Sequence, residues 1–386
     1  MSELIPIITT TLGASPEIAG KIIAGLNAKI LERVGGVIRR VDNKQVVAWL
    51  RTMSEGQPID ATVLSNLGPL LQLNVATSVL NLAISAIGFA VVIKRLDAIE
   101  GQLATISTIL AGINRKLDLS FYANFRAALE LARTAFGMRE ETNRRISATQ
   151  AINRFLEAEQ HYLGMLDNEL QVGSPAVSPF LNTLFLAYVS TARCYLELGE
   201  TETAWRHFQE GGATLSTRMK QYYTSIIGVN PAIFLHPALA DSVSLERLTR
   251  LLRHYDASLT ESSAFESLRK AVWETASHNP ETWLRRLPAC IWNHDVDGRE
   301  KIGFGHRHRS GDEMLKQVLP RLPEAFTQVE SAQESLGCIE GYGIELKYLM
   351  DHNIEYSAWQ QIELPPTGQD DPVAILLPKN SDLLAN

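Results

Sequence analysis

Between Ala61 and Ile93 the chain carries no Asp, Glu, Lys or Arg, although one residue in five is charged overall. Lys94 and Arg95 close this run of 33 residues, and an apolar repeat begins at once. Leu96, Ile99, Leu103, Ile106, Leu110, Ile113 and Leu117 follow one another at alternating spacings of three and four, which places all of them on one stripe of a helix. Leu at the first core position and Ile at the second favours trimers and tetramers in parallel coiled coils. The stripe therefore predicts a homo-oligomer joined along this seam. An internal helical hairpin is the alternative, because it would bury the same stripe. Upstream, the frame continues without a phase break through Val92, Phe89, Ser85 and Leu82.

The uncharged run is divided at Gly68-Pro69, where a helix would break or kink. The 24 residues from Leu70 to Ile93, at about 1.5 Å each, are long enough to cross a hydrocarbon core of about 30 Å. Leu70, Val75, Val79, Leu82, Ile84, Ile87, Phe89 and Val92 are the residues expected to enter a bilayer. Gln72, Asn74, Thr77, Ser78, Asn81 and Ser85 interrupt them, and an unpartnered amide in hydrocarbon costs a few kcal/mol. A lone lipid-bathed helix fits poorly. Several copies crossing together fit, with small and polar residues turned inward. So does a helix buried permanently in a protein core.

Elsewhere the periodicity is helical. Residues 15–40 predict one helix, with Ser15 as N-cap, Pro16 at the first position and Ile18, Ile22, Leu26 and Ile30 on one face. Further helices are expected at 43–53, 121–137, 140–167, 180–198, 200–211, 243–255, 264–276, 280–292, 313–319 and 324–352. Val373–Leu377 is the one strand candidate. Convincing alternation is absent elsewhere, so the predicted fold class is all-α. The expected divisions are an amphipathic region at 1–60, the apolar segment with its heptad helix at 61–119, a helical body at 120–364 and a tail at 365–386. Within the body, Ala192 to Ala204 resembles the turn region of a tetratricopeptide repeat, with Gly199 at the bend.

Charge is distributed unevenly. Residues 1–60 hold seven Lys/Arg against six Asp/Glu, and residues 94–155 hold ten against six. With a net charge of −7 overall, residues 156–386 must carry −12. A cationic flank beside the apolar segment suits an anionic bilayer surface. The acidic body argues against nucleic acid as a partner, and leaves a protein partner for the helical body as the expectation. Three widely spaced cysteines without a CxxC form no disulfide framework and no zinc site, as in a reducing cytosol. The first residues do not form a secretory signal. Membrane contact would then be made from the cytoplasm, at the inner membrane.

No motif for phosphate binding, dinucleotide binding, zinc proteolysis or serine hydrolysis occurs. The densest set of metal-type side chains is His294, Asp295, Asp297, His306 and His308, which in an extended loop could converge on one ion. A solvated, glycine-containing polar loop is the alternative. Neither cofactor nor catalytic residue is assigned. Trp273, Trp283 and Trp292, nine or ten apart, are expected in the core.

An apolar stretch leading into a heptad helix and then a helical body resembles, over residues 70–117, the layout of bacterial α-helical pore-forming toxins and of membrane-acting effectors of antiphage systems. That stretch is about an eighth of the chain. It implies a non-enzymatic, oligomerising protein that perturbs membranes. A helical interaction scaffold is the first alternative, and a metal-dependent enzyme using the 294–308 loop is the second.

Overall fold

A computed structural model describes residues 7–11, 16–52, 80, 89–111, 120–277, 283–292, 299–302, 305–308, 310–360 and 373–378. In chain order the elements are β1 (Ile7–Thr11), α1 (Pro16–Asn27), β2 (Leu31–Val34), β3 (Val37–Arg40), β4 (Val46–Thr52), α2 (Phe89–Ala111), α3 (Ser120–Phe136), α4 (Glu141–Val172), α5 (Val177–Glu197), α6 (Thr201–Tyr223), α7 (Leu245–Tyr255), α8 (Glu261–Ser277), β5 (Arg299–Ile302), β6 (Gly305–His308), α9 (Gly311–Val318), α10 (Leu322–Asp351), α11 (Tyr356–Gln360) and β7 (Val373–Pro378). The protein is mostly helical, as the periodicity predicts. The all-α expectation is corrected by a five-stranded antiparallel sheet, in the order β1-β7-β4-β3-β2. The chain divides into two compact units, one of residues 1–163, 181–215 and 331–386, the other of residues 164–180 and 216–330.

In the first unit, the single helix expected over 15–40 ends at Asn27. Lys29 takes a left-handed φ of 59°. Ile30 N–H then reaches Gly25 O at 2.9 Å, and Lys29 N–H reaches Leu26 O at 3.1 Å. This is a Schellman ending with lysine where glycine usually sits. Ile30, which the helical period assigns to the apolar face, is 53 % exposed. The chain reverses again through Gly35-Gly36, with Gly35 at φ 55°, to pair Val34 with Val37. A two-residue hairpin loop of this kind favours glycine.

The helix expected at 43–53 is strand β4. Val47, Ala48, Trp49 and Leu50 are all buried, so the strand is covered on both faces and reads as a continuous apolar run. Periodicity alone cannot separate such a run from a buried helix segment. On one face, Ile22 and the flanking Ile18, Ile23 and Leu26 of α1 pack over Ile38, Leu50, Ile375 and Leu377. On the other, Trp49 meets Tyr348 and Trp359 edge-on at 4.6 and 5.2 Å between ring centroids. The strand candidate in the expected tail is β7, and it lies between β1 and β4 rather than at an edge. Its Ile375, Leu376 and Leu377 are fully buried.

The hairpin β2–β3 is held against α10 by two independent features. Arg33 lies against Glu334 with two parallel 2.8 Å hydrogen bonds, and its Nη1 also donates to Gly35 O at 2.8 Å. Burial alone would weaken the Arg33 charge, but the adjacent Glu334 carboxylate more than offsets it and raises the guanidinium pKa. Beside this pair the backbones touch. A Cβ on Gly341 would lie 2.7 Å from Val34 O, and one on Gly35 would lie 2.6 Å from Gly337 O. At the exposed edge, Arg39 and Lys44 bond Glu32 at 2.6 and 3.0 Å. Burial pushes the Glu32 carboxyl up, but these hydrogen bonds win and hold it below its usual range.

The heptad stripe lies on α2, which packs along α3. Leu96, Ile99 and Leu103 are buried inside the single chain, as the internal hairpin requires, and Ile106 is half-buried. Phe89 stacks on Phe136 at 5.7 Å between ring centroids, Arg126 pairs with Asp97 and Glu100, and Val92 is buried. The side chain of Leu110, together with Ile113 and Leu117, lies outside the described residues, as do Leu70, Val75, Val79, Leu82, Ile84 and Ile87. Among the described residues no helix is long and apolar enough to cross a membrane.

In the second unit, α7 and α8 pack together. Arg247 joins the buried carboxylate of Glu330 and lies 5.1 Å from the centroid of the Phe326 ring. Arg218 grips Asp167 through two bonds of 2.8 and 2.7 Å. Trp292 is buried, whereas Trp273 is 76 % exposed, which corrects its assignment to the core. The helix expected over 280–292 is, in the described part 283–292, mostly turns. The 294–308 stretch, read as a loop, contains the β5–β6 hairpin.

Candidate functional site

The bend at Gly199 is where the first unit opens a cleft. Gly199 has φ 79°, Glu200 N–H reaches Tyr195 O at 2.9 Å and Gly199 N–H reaches Leu196 O at 3.0 Å. These bonds make a Schellman ending for α5 that turns the chain directly into α6. The two helices then run close: a Cβ on Gly211 would lie 2.5 Å from the Tyr188 ring. The tetratricopeptide-like turn read over 192–204 is therefore a tight helical hairpin.

A cleft of about 440 Å³ surrounds this turn, walled by the first residues of α4 (Glu141, Arg144, Arg145), by Leu196 to Thr201, and by Glu355 to Gln360 around α11. The volume lies within the range of about 300–1,000 Å³ typical of ligand sites. One wall is locked. Arg193 donates to the hydroxyl of buried Tyr356, bonds Glu197 at 2.6 Å and lies 5.4 Å from the centroid of the Tyr356 ring. Helix α11 is itself anchored, since fully buried Trp359 donates its indole N–H to Glu345 and meets Trp49. The rim is looser. Arg145 approaches Glu141 and Glu200 only at 3.9 and 4.0 Å. Arg144 and Glu355 have no ion-pair partner among the described residues, although both line the cleft. The amides at the start of α4 are already engaged, because the Glu140 carboxylate accepts from Thr142 and Asn143 N–H at 3.1 and 2.6 Å.

A second group of reactive side chain types lies buried among α4, α5 and α6. Glu159 Oε1 is 2.5 Å from Thr191 Oγ1 and 3.1 Å from His207 Nε2. The rings of Tyr188 and Tyr195 lie 5.1 and 6.1 Å from His207. A carboxylate, a hydroxyl and an imidazole together suggest a nucleophilic triad, but here the order is wrong. Thr191 and His207 both address the carboxylate, so the imidazole is not placed to take the hydroxyl proton. The cluster cross-links three helices.

Of the metal-ligand candidates, His294, Asp295 and Asp297 lie outside the described residues. In the hairpin, the register sets His306 opposite Lys301 and His308 opposite Arg299. No group of three or more His, Cys, Asp or Glu that could hold a metal occurs among the described residues. Cys194 and Cys338 are buried, and burial pushes the Cys290 thiol up to about 12.

Sequence reasoning located the turn at Gly199 but not Arg144, Arg145 or the 355–360 segment that completes the cleft. These lie more than fifty residues before and 150 after the turn, and nothing in their local pattern links them. Comparison with protein-family models, curated proteins and solved structures yields no match.

Proposed function

We propose that this protein is a recognition module of the helical-scaffold class, which engages a partner through the cleft around Gly199. The observation that carries the reading is the contrast within that cleft. Tyr356 in the wall is fixed by Arg193 and its helix is anchored by buried Trp359, while Arg144 and Glu355 at the rim have no ion-pair partner among the described residues. A preformed wall lowers the ordering cost of binding, and the two rim charges outside any ion pair supply orientation. Among the residues lining the cleft, the hydroxyls of Thr201, Tyr356 and Ser357 have no histidine beside them to act as a base, so binding fits better than catalysis. The test is site-specific photocrosslinking in the native host. A benzophenone side chain at Ser357 is expected to give one discrete adduct, and the same group at Thr149, on the exposed face of α4, none. Equal or absent labelling at the two positions would reject the cleft as the recognition surface.

A second reading, membrane action by the 70–93 segment of an oligomeric chain, is favoured by the uncharged run and its basic flank. The topology restricts its form. Strand β4 ends at Thr52 and α2 begins at Phe89, and both belong to the same compact unit. One crossing of the bilayer would put them on opposite sides. With that unit intact, the chain between them would have to enter and leave on one side, for which Gly68-Pro69 supplies a turn signal. Arg at both Ile84 and Ile87 should abolish dye release from anionic liposomes, because each costs about 2.5–3.5 kcal/mol at the bilayer centre, while leaving the melting temperature near that of the wild type. A wild-type protein that releases no dye from liposomes of any composition ends this reading.

A further inference from the structure

Arg144 and Glu355 line one cleft, yet neither belongs to an ion pair among the described residues; Glu355 accepts a long 3.5 Å hydrogen bond from the neighbouring Ser357 Oγ, and the Arg144 charge acts on the Glu140 carboxylate without a salt bridge. Other charges in and around the cleft are engaged: Arg193 with Glu197 at 2.6 Å, and Arg145, more loosely, with Glu141 and Glu200. The result is one cationic and one anionic contact point, set on different elements, beside a fixed wall that carries the apolar Leu196 and Leu198. A polyanion would meet Glu141, Glu197 and Glu355 as well as the arginines, which disfavours nucleic acid and polyphosphate. A ligand with a single charge leaves one of the two points unmatched.

We propose that the cleft binds a short peptide segment bearing one acidic and one basic side chain, the acid on Arg144 and the base on Glu355. Arg144 offers a planar fork that fits a carboxylate through two parallel bonds. Glu355 accepts the ammonium or guanidinium. A free amino acid presents the same two charges but lacks a chain to cover the apolar part of the wall, so the segment is the preferred source. The inference rests on the recognition reading above and adds the partner's charge pattern to it.

The test uses blocked peptides with Glu and Lys separated by zero to four alanines, in both orders, with free lysine and the dipeptide Glu-Lys as small zwitterions. Binding to the full chain is followed by fluorescence anisotropy or, for the small probes, by calorimetry. One peptide order is expected to bind, and either Arg144→Glu or Glu355→Arg should weaken it at least tenfold. The double variant Arg144→Glu/Glu355→Arg should reverse the preferred order. A merely structural role for these residues cannot produce that reversal. Binding of the small zwitterions as tightly as the best peptide would overturn the segment as ligand. Failure of every peptide to bind more tightly than about 1 mM, or binding indifferent to the double variant, would overturn the charge pattern. If the Ser357 adduct then persists in the double variant, recognition by the cleft stands while this inference falls; if the adduct is absent from wild type, the recognition reading falls as well.

Discussion

Arg33→Met is expected to destabilise the protein by about 3–5 kcal/mol, the range for breaking a buried ion pair from one side. The Arg33 and Glu334 side chains are only 8 % and 2 % exposed, so water cannot replace the missing guanidinium, and Gly35 O loses its donor as well. The double variant Arg33→Met/Glu334→Leu should recover most of that loss. With both charges gone, no desolvated carboxylate remains, and apolar side chains of similar size can fill the space. Urea unfolding of the two variants and the wild type measures this. A single variant that loses less than about 1 kcal/mol would mean that the pair is solvated, and the hairpin would then have to be held by its backbone contact alone.

That contact makes a second, sharper pair of expectations on one helix. Gly341→Ala should cost about 1–3 kcal/mol, the usual range for overpacking, because its Cβ would sit 2.7 Å from Val34 O, a backbone atom that can retreat only by shifting the hairpin. Gly337→Ala, one turn earlier on α10, would place its Cβ 3.6 Å from Gly35 N, an ordinary contact. There the gain of alanine over glycine in a helix interior, up to about 1 kcal/mol, should make the change neutral or stabilising. Opposite signs in thermal melts of the two variants are the expected result. Equal destabilisation would show that α10 tolerates no side chain anywhere along this face.

Both expectations concern a junction that no local pattern in the chain announces. Arg33 and Glu334 are 301 residues apart, and each alone reads as a surface charge. The same separation explains the missed sheet. Strand β4 is apolar on both faces because α1 covers one and α10 with α11 the other, so the alternation that marks a half-buried strand never appears. Lys29 in a left-handed turn gave no warning that α1 stops, since lysine is a good helix former and the usual stop signal is glycine. Several of the expected helices are present. The helices expected at 121–137, 243–255, 264–276 and 324–352 correspond to α3, α7, α8 and α10.

The chain by itself determined the helical period of most of its length, the turn at Gly199, the strand at Val373–Leu377 and the stripe of Leu96, Ile99 and Leu103. Each follows from interactions within a few residues: side-chain periodicity, glycine's access to positive φ, β-branched composition. Tertiary structure alone decided what the stripe packs against, where β7 inserts, which buried carboxylates find an arginine, and that Arg144 and Glu355 share a cleft with the Gly199 turn. Those outcomes depend on which distant surfaces exclude water together, and the free energy of that choice belongs to the pair of surfaces rather than to either sequence segment.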